Sequence, residues 1–258
     1  MPGMATTYDI LGTTYSQRRS TDPHIASAIA LALRGCVSVL NVGAGTGSYE
    51  PRGNNVVAIE PSWTMIRQRA GGAAPVVRGR AEALPFSDGS FDGVLGVLTV
   101  HHWTDQARGF AECARVARKR IVFFTIDPAE FRGYWLYEYF PSLAAIDSLI
   151  FPSMTRFADA FGSIDVVPVP IPEDCSDGFL GAYWRRPEAF LDPIVRKSVS
   201  TFSKMSKRDL DLGLEKLQAD MESGVWAERH AHPKNCGALD LGYRIVSCGR
   251  NRTPGSPS

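Results

Sequence analysis

The chain has 258 residues, 44% of them apolar and 21% charged, with a formal net charge of +1. That length suits one large α/β domain with insertions, and the near-neutral charge excludes the clustered basic face of a nucleic-acid binder. No apolar stretch approaches the ~20 residues of a membrane span.

The start, MPGMATTYDILG, lacks a charged segment followed by an apolar core and does not read as an export signal. Cys36, Cys113, Cys175, Cys236 and Cys248 are odd in number and show neither CxxC nor metal-ligand spacing. They read as reduced thiols in a cytoplasmic protein without a metal. Ser20, Thr21 or Asp22 is placed to cap a helix with Pro23 at its first position, and Ile25, Ile29 and Leu33 fall along one face of it.

Residues 37–42, VSVLNV, form a short β-branched run of the kind buried on both faces of a parallel sheet. Gly43, Gly45 and Gly47 then let the backbone turn and approach a ligand with no Cβ between. A second apolar run at 56–59 ends on Glu60. Ligands of open α/β sheets bind at the carboxyl ends of the strands. A carboxylate there accepts hydrogen bonds from both hydroxyls of a ribose, each contributing roughly 1.5–3 kcal/mol. Loop and acid together specify a nucleoside. The dinucleotide fingerprint is G-x-G-x-x-G, whereas this loop is G-x-G-x-G and holds no basic residue, so a phosphate is disfavoured; an NAD-dependent oxidoreductase stays open as an alternative. Only residues 48–55 separate Gly47 from the second strand, where a parallel crossover normally takes a dozen or more. One helical turn or a loop must replace a helix there.

The spacing predicts a helix over 61–69 with Met65 and Ile66 toward the sheet, a third strand at 76–79, and the segment RAEALPF at 80–86 followed by SDGSFD at 87–92. A fourth strand over 94–100 delivers Leu98 and Thr99 and then His101-His102-Trp103; a helix over 105–117 and a fifth strand over 120–126 follow.

The glycine loop, Glu60, RAEALPF and SDGSFD together resemble the class I S-adenosylmethionine-dependent methyltransferases of the small-molecule type. The resemblance implies that Gly43, Ala44, Gly45, Thr46 and Gly47 pass under the amino-acid part of S-adenosylmethionine, that Glu60 with Pro61 holds its ribose, and that Leu98 and Thr99 lie beside it. Where that family places an adenine-binding Asp, this chain has Arg80, which has no acceptor; adenine recognition then rests on the Ala81 backbone. The segment 5–34 is similar to an N-terminal lid in which Tyr15 and Arg19 reach the cofactor carboxylate, or else is a surface helix packed on the domain. His101 and His102 are either the base for a hydroxyl acceptor or structural histidines.

From residue 128 the chain leaves the core plan. Two insertions, about 128–162 and 173–238, are rich in aromatic residues, and Trp135, Tyr139, Tyr183 and Trp184 are candidates to line a substrate chamber. A sixth strand at 163–170 and a last, antiparallel strand at 241–247 complete the sheet, and the composition of 249–258 suits a disordered tail. The expected fold is a doubly wound, seven-stranded, mostly parallel Rossmann-like sheet with helical caps after strands five and six. The expected reaction is methyl transfer from S-adenosylmethionine to the oxygen or carbon of a small, largely apolar metabolite. A catalytically silent binder of the same cofactor is the alternative, and a homo-oligomer is compatible with either. No D/N-P-P-Y/F run, the signature of DNA or protein amide methylation, follows strand four.

Overall fold

The computed structural model describes residues 19–230 and 236–249; Tyr15, residues 5–18 of the expected lid and the tail beyond Gly249 lie outside them. Nine strands are present among the described residues: β1 (Ser38–Val42), β2 (Asn55–Glu60), β3 (Val76–Arg78), β4 (Phe91–Val97), β5 (Ala117–Ile126), β6 (Asp165–Pro168), β7 (Ile171–Pro172), β8 (Ala238–Leu239) and β9 (Tyr243–Gly249). Seven form one sheet in the order β3-β2-β1-β4-β5-β9-β6. The pairs β1–β2, β1–β4, β2–β3 and β4–β5 are parallel, and β9 runs antiparallel to both β5 and β6.

Alternation along the central strands explains why both faces are covered. In β5, Val122, Phe124 and Ile126 join one core with the helix Pro23–Ala32, while Ile121 and Phe123 join a second core with the helix Gln106–Val116. Strands apolar on both faces are what a doubly wound sheet requires. Asp22 caps the first helix, its carboxylate accepting the N–H groups of His24 and Ile25.

Two local outcomes shape the cleft. Strand β4 begins earlier than its apolar run suggests and ends at Val97; Leu98 then turns with φ 45°, and residues 100–102 form a 3-10 turn. His101 and His102 therefore ride on a turn rather than on a strand end. No helix bridges β1 to β2. Arg69 fills the place instead, donating to Glu50 and to the carbonyls of Gly45 and Ala74.

The insertions form one apolar mass over the carboxyl edge. The first contains short helices at Leu136–Tyr139, Pro141–Ile150 and Met154–Phe161. The second is closed at its base by the β7–β8 ribbon and contains helices at Pro193–Ser198, Lys207–Glu222 and Val225–His230. Trp135 Nε1 donates to the Trp184 carbonyl at 2.6 Å and Tyr139 to Asp220 at 2.8 Å, so side chains of the first insertion hydrogen-bond across to the second.

Candidate active site

At the carboxyl ends of β1, β2 and β4 lies a cavity of about 320 Å³. The Ile59 carbonyl accepts the N–H groups of both Gly43 (2.9 Å) and Ala44 (3.1 Å), pinning the start of the glycine loop to the end of β2. Gly43 takes φ +67°, and a Cβ there would overlap Thr99, so this position admits only glycine. Ala44, Gly45 and Thr46 continue the wall; Gly47 lies behind it, against Arg69 and Ala73.

Glu60 is 5% exposed. One carboxylate oxygen accepts the N–H of Gly45 and the other that of Ser62, each at 2.9 Å. Ser62 in turn caps the helix Trp63–Arg67 through the Met65 N–H. These bonds fix the plane of the carboxylate at the cavity wall. Beside it, Asn41 is 1% exposed, and neither atom of its side-chain amide has a partner among the described residues. An amide orphaned at a cavity wall suits a ligand that both donates and accepts hydrogen bonds, as the amino-acid end of S-adenosylmethionine does. Pro61, Arg80 and Ala81 lie on the same wall with Glu82, Trp103 and Thr104. Burial opposes ionisation of Glu82, but hydrogen bonds from Thr104 and from backbone N–H groups prevail and hold its carboxyl below the usual range.

The inner end is formed by Leu98, Thr99, His101 and His102. The two imidazole rings lie 3.8 Å apart, and His101 stacks on Phe151 at 4.2 Å. Desolvation, then the charges of Lys204 and Arg19, push His102 down to about 3; His101 is lowered for the same reasons, with His102 itself contributing. Both rings are neutral at pH 7. Arg19 reaches this end, but its Nε and Nη2 are bound to Asp177 at 2.7 and 3.1 Å. Tyr49 and the backbone N–H groups of Ser20 and Gly178 also donate to that buried carboxylate.

A smaller cavity of about 50 Å³ shares Arg19, Leu98 and both histidines with the first and extends beneath the cap to Phe151 and Phe179. The four aromatic residues expected to line a chamber there sit elsewhere. Trp135 packs between Tyr139 and Phe190, Tyr183 packs on Phe190, and Trp184 is fully buried with its indole N–H on the Ile171 carbonyl. Their rings fill the space between the insertions, so neither cavity touches them. Asn41 and Lys204 were not singled out by sequence patterns, although Asn41 closely precedes the loop in an otherwise apolar strand; Met65, expected to face the sheet, also lines the cavity. Among the described residues no cluster of three possible metal ligands occurs, and no helix is long and apolar enough to cross a membrane.

Residues 40–124 match the methyltransferase domain family. Over 86 residues, 31% of this chain and 35% of the relative, the sequence is 41% identical to an uncharacterised methyltransferase of Mycobacterium tuberculosis. Over 129 residues, 45% of this chain and 53% of the relative, it is 36% identical to a demethylmenaquinone methyltransferase of Thermobifida fusca. The chain thus spans about a third to a half of the curated relatives it matches. A crystal structure from Anabaena variabilis, described as a candidate methyltransferase of an antibiotic biosynthesis pathway, superposes with a TM-score of 0.81 at 31% identity, covering 91% of this chain and 98% of that one. Near-complete coverage at that identity, on a sheet whose carboxyl edge carries the glycine loop and Glu60, places the chain in the class I S-adenosylmethionine-dependent methyltransferases.

Proposed function

We propose that the protein transfers the methyl group of S-adenosylmethionine to a small, largely apolar molecule. The observation that carries this reading is the fixed Glu60 carboxylate beside the orphaned Asn41 amide, in a cavity that shares Arg19, Leu98 and both histidines with a second one under an apolar cap. Glu60 would hold the ribose, the glycine loop and Asn41 the amino-acid part, and the wall from Arg80 to Thr104 the adenine. When bound, the cofactor supplies an electrophilic methyl on a sulfonium.

The chain's own residues have little covalent chemistry to perform. Holding the acceptor and methyl in near-attack geometry supplies roughly 7–11 kcal/mol of a barrier, and Phe151 and Phe179 give the smaller cavity apolar walls. His101 and His102 stand where a base for a hydroxyl acceptor is needed, but burial leaves them weakly basic. Both the Anabaena structure and the demethylmenaquinone enzymes lend weight to a metabolite as acceptor. None of the five cysteines forms a disulfide, which suits the reducing cytoplasm.

The test is incorporation of labelled methyl from S-adenosylmethionine into solvent-extractable product across a panel of phenols, quinols and carboxylic acids. Labelled product supports the reading. Tight cofactor binding with no turnover on any member supports a catalytically silent cofactor-binding module.

A further inference from the structure

The end of the cleft that holds the two histidines also carries a cation, Lys204, with no direct ion-pair partner among the described residues, although the buried Asp147 carboxyl feels its charge. Lys204 closes the 3-10 turn Phe202–Lys204 in the second insertion and lines the same cavity as the glycine loop and the two histidines. It forms no ion pair among the described residues. Arg80, the other cation lining this cavity without an ion pair among the described residues, stands on the wall with Pro61 and Ala81, and the remaining charges are already committed. Arg19 is bidentate on Asp177, which is fully buried. Glu60 and Glu82 accept backbone N–H groups on the cofactor side. Asp147 lies beneath the segment that carries Lys204, where it accepts the hydroxyls of Thr201 (2.8 Å) and Tyr137 (3.1 Å).

Between the two cations near the histidines, Arg19 and Lys204, an incoming anion has one economical partner. Drawing Arg19 away would leave Asp177 buried and unpaired, at about 3–5 kcal/mol, whereas Lys204 is exposed and requires no such exchange. The two imidazoles are too weakly basic to ionise an ordinary hydroxyl, since a general base works best with a pKa near the operating pH.

We propose that the methyl acceptor is a small aromatic or conjugated organic acid that enters the site already ionised, its anionic oxygen drawn to Lys204 beside His102. This rests on the methyl-transfer reading above. The acceptor oxygen forms the new O–C bond as the C–S bond breaks, the bonding pair stays on sulfur, and no proton moves. The products are a neutral methyl ester and S-adenosylhomocysteine. Phe151 and Phe179 supply the apolar walls for the conjugated body.

Calorimetry on the full chain, first with S-adenosylhomocysteine and then with benzoate or cinnamate against their amides, tests this. Wild type and Lys204→Met are expected to bind S-adenosylhomocysteine within about twofold of one another. In the loaded wild type each acid binds at least about fivefold tighter than its amide; the preference vanishes in Lys204→Met and returns in Lys204→Arg. Equal binding of acid and amide, no detectable acid binding at millimolar concentration, or a preference that survives in Lys204→Met overturns the proposal. So does a tenfold loss of S-adenosylhomocysteine affinity in Lys204→Met, which assigns the lysine to the cofactor carboxylate. Failure of wild type to bind S-adenosylhomocysteine sinks the methyl-transfer reading instead.

Discussion

The Gly45 N–H donates to Glu60 over 2.9 Å while the other oxygen of the same carboxylate takes the Ser62 N–H. The acid that ends β2 is thus locked between the glycine loop and the helix behind it. Glu60→Ala removes the ribose acceptors and the loop's anchor together, and the affinity for S-adenosylhomocysteine is expected to fall about tenfold or more. Calorimetry reads this directly; unchanged affinity would confine Glu60 to a structural role.

Gly43→Ala tests the contact between the loop and Thr99 in the turn after β4. The new Cβ would overlap Thr99 in a backbone conformation, φ +67°, that disfavours side chains. A loss of about 1–3 kcal/mol in stability is expected, seen as a lower Tm together with weaker S-adenosylhomocysteine binding. A variant with wild-type Tm and affinity contradicts the close approach.

These two residues were legible because their signals are local: a glycine series and an acid at the end of a β-branched run need no tertiary knowledge. The sheet followed from the same runs. The cap was not legible, since periodicity cannot say whether Trp135 and Trp184 face a chamber or each other, and here they are joined by a hydrogen bond across 49 residues of chain. The turn at Leu98, itself expected beside the cofactor, escaped, because a leucine with φ 45° breaks the rule that such turns fall on glycine. Arg69 and Glu50, which brace the loop in place of a helix, carry no motif at all.

Asp177 ties residues 19 and 20 to the second insertion. Its carboxylate accepts two bonds from Arg19 and one from Tyr49, and its side chain has no solvent exposure. Asp177→Ala removes the buried carboxylate that Arg19 and Tyr49 share and is expected to destabilise the protein by about 3–5 kcal/mol. Urea unfolding measures this, and a change below about 1 kcal/mol would mean that water replaces the pair.

Acid stability follows from the two buried titrating groups. His102 has a folded value of about 3 against about 6.5 when unfolded. The unfolded chain therefore binds the proton first: this contribution is complete above pH 6.5 and lost as pH falls toward 3. At about 1.4 kcal/mol per unit it amounts to at most about 5 kcal/mol, reduced by cleft water at the ring. Asp147 has the opposite sign. Burial raises its carboxyl to about 6, so its ionisation lowers stability as pH rises from about 4 to 6. Relative to wild type, His102→Asn is expected to flatten the fall in Tm between pH 6.5 and 4, and Asp147→Asn to steepen it. Parallel Tm profiles would contradict both assignments.

The most direct measurement on the central claim is a paired titration of wild type and Glu60→Ala with S-adenosylhomocysteine and with NAD. The account predicts saturable one-to-one binding of S-adenosylhomocysteine to wild type, weakened at least about tenfold in the variant, and no binding of NAD. Binding of NAD in its place, or no binding of S-adenosylhomocysteine by the wild-type protein, would contradict it.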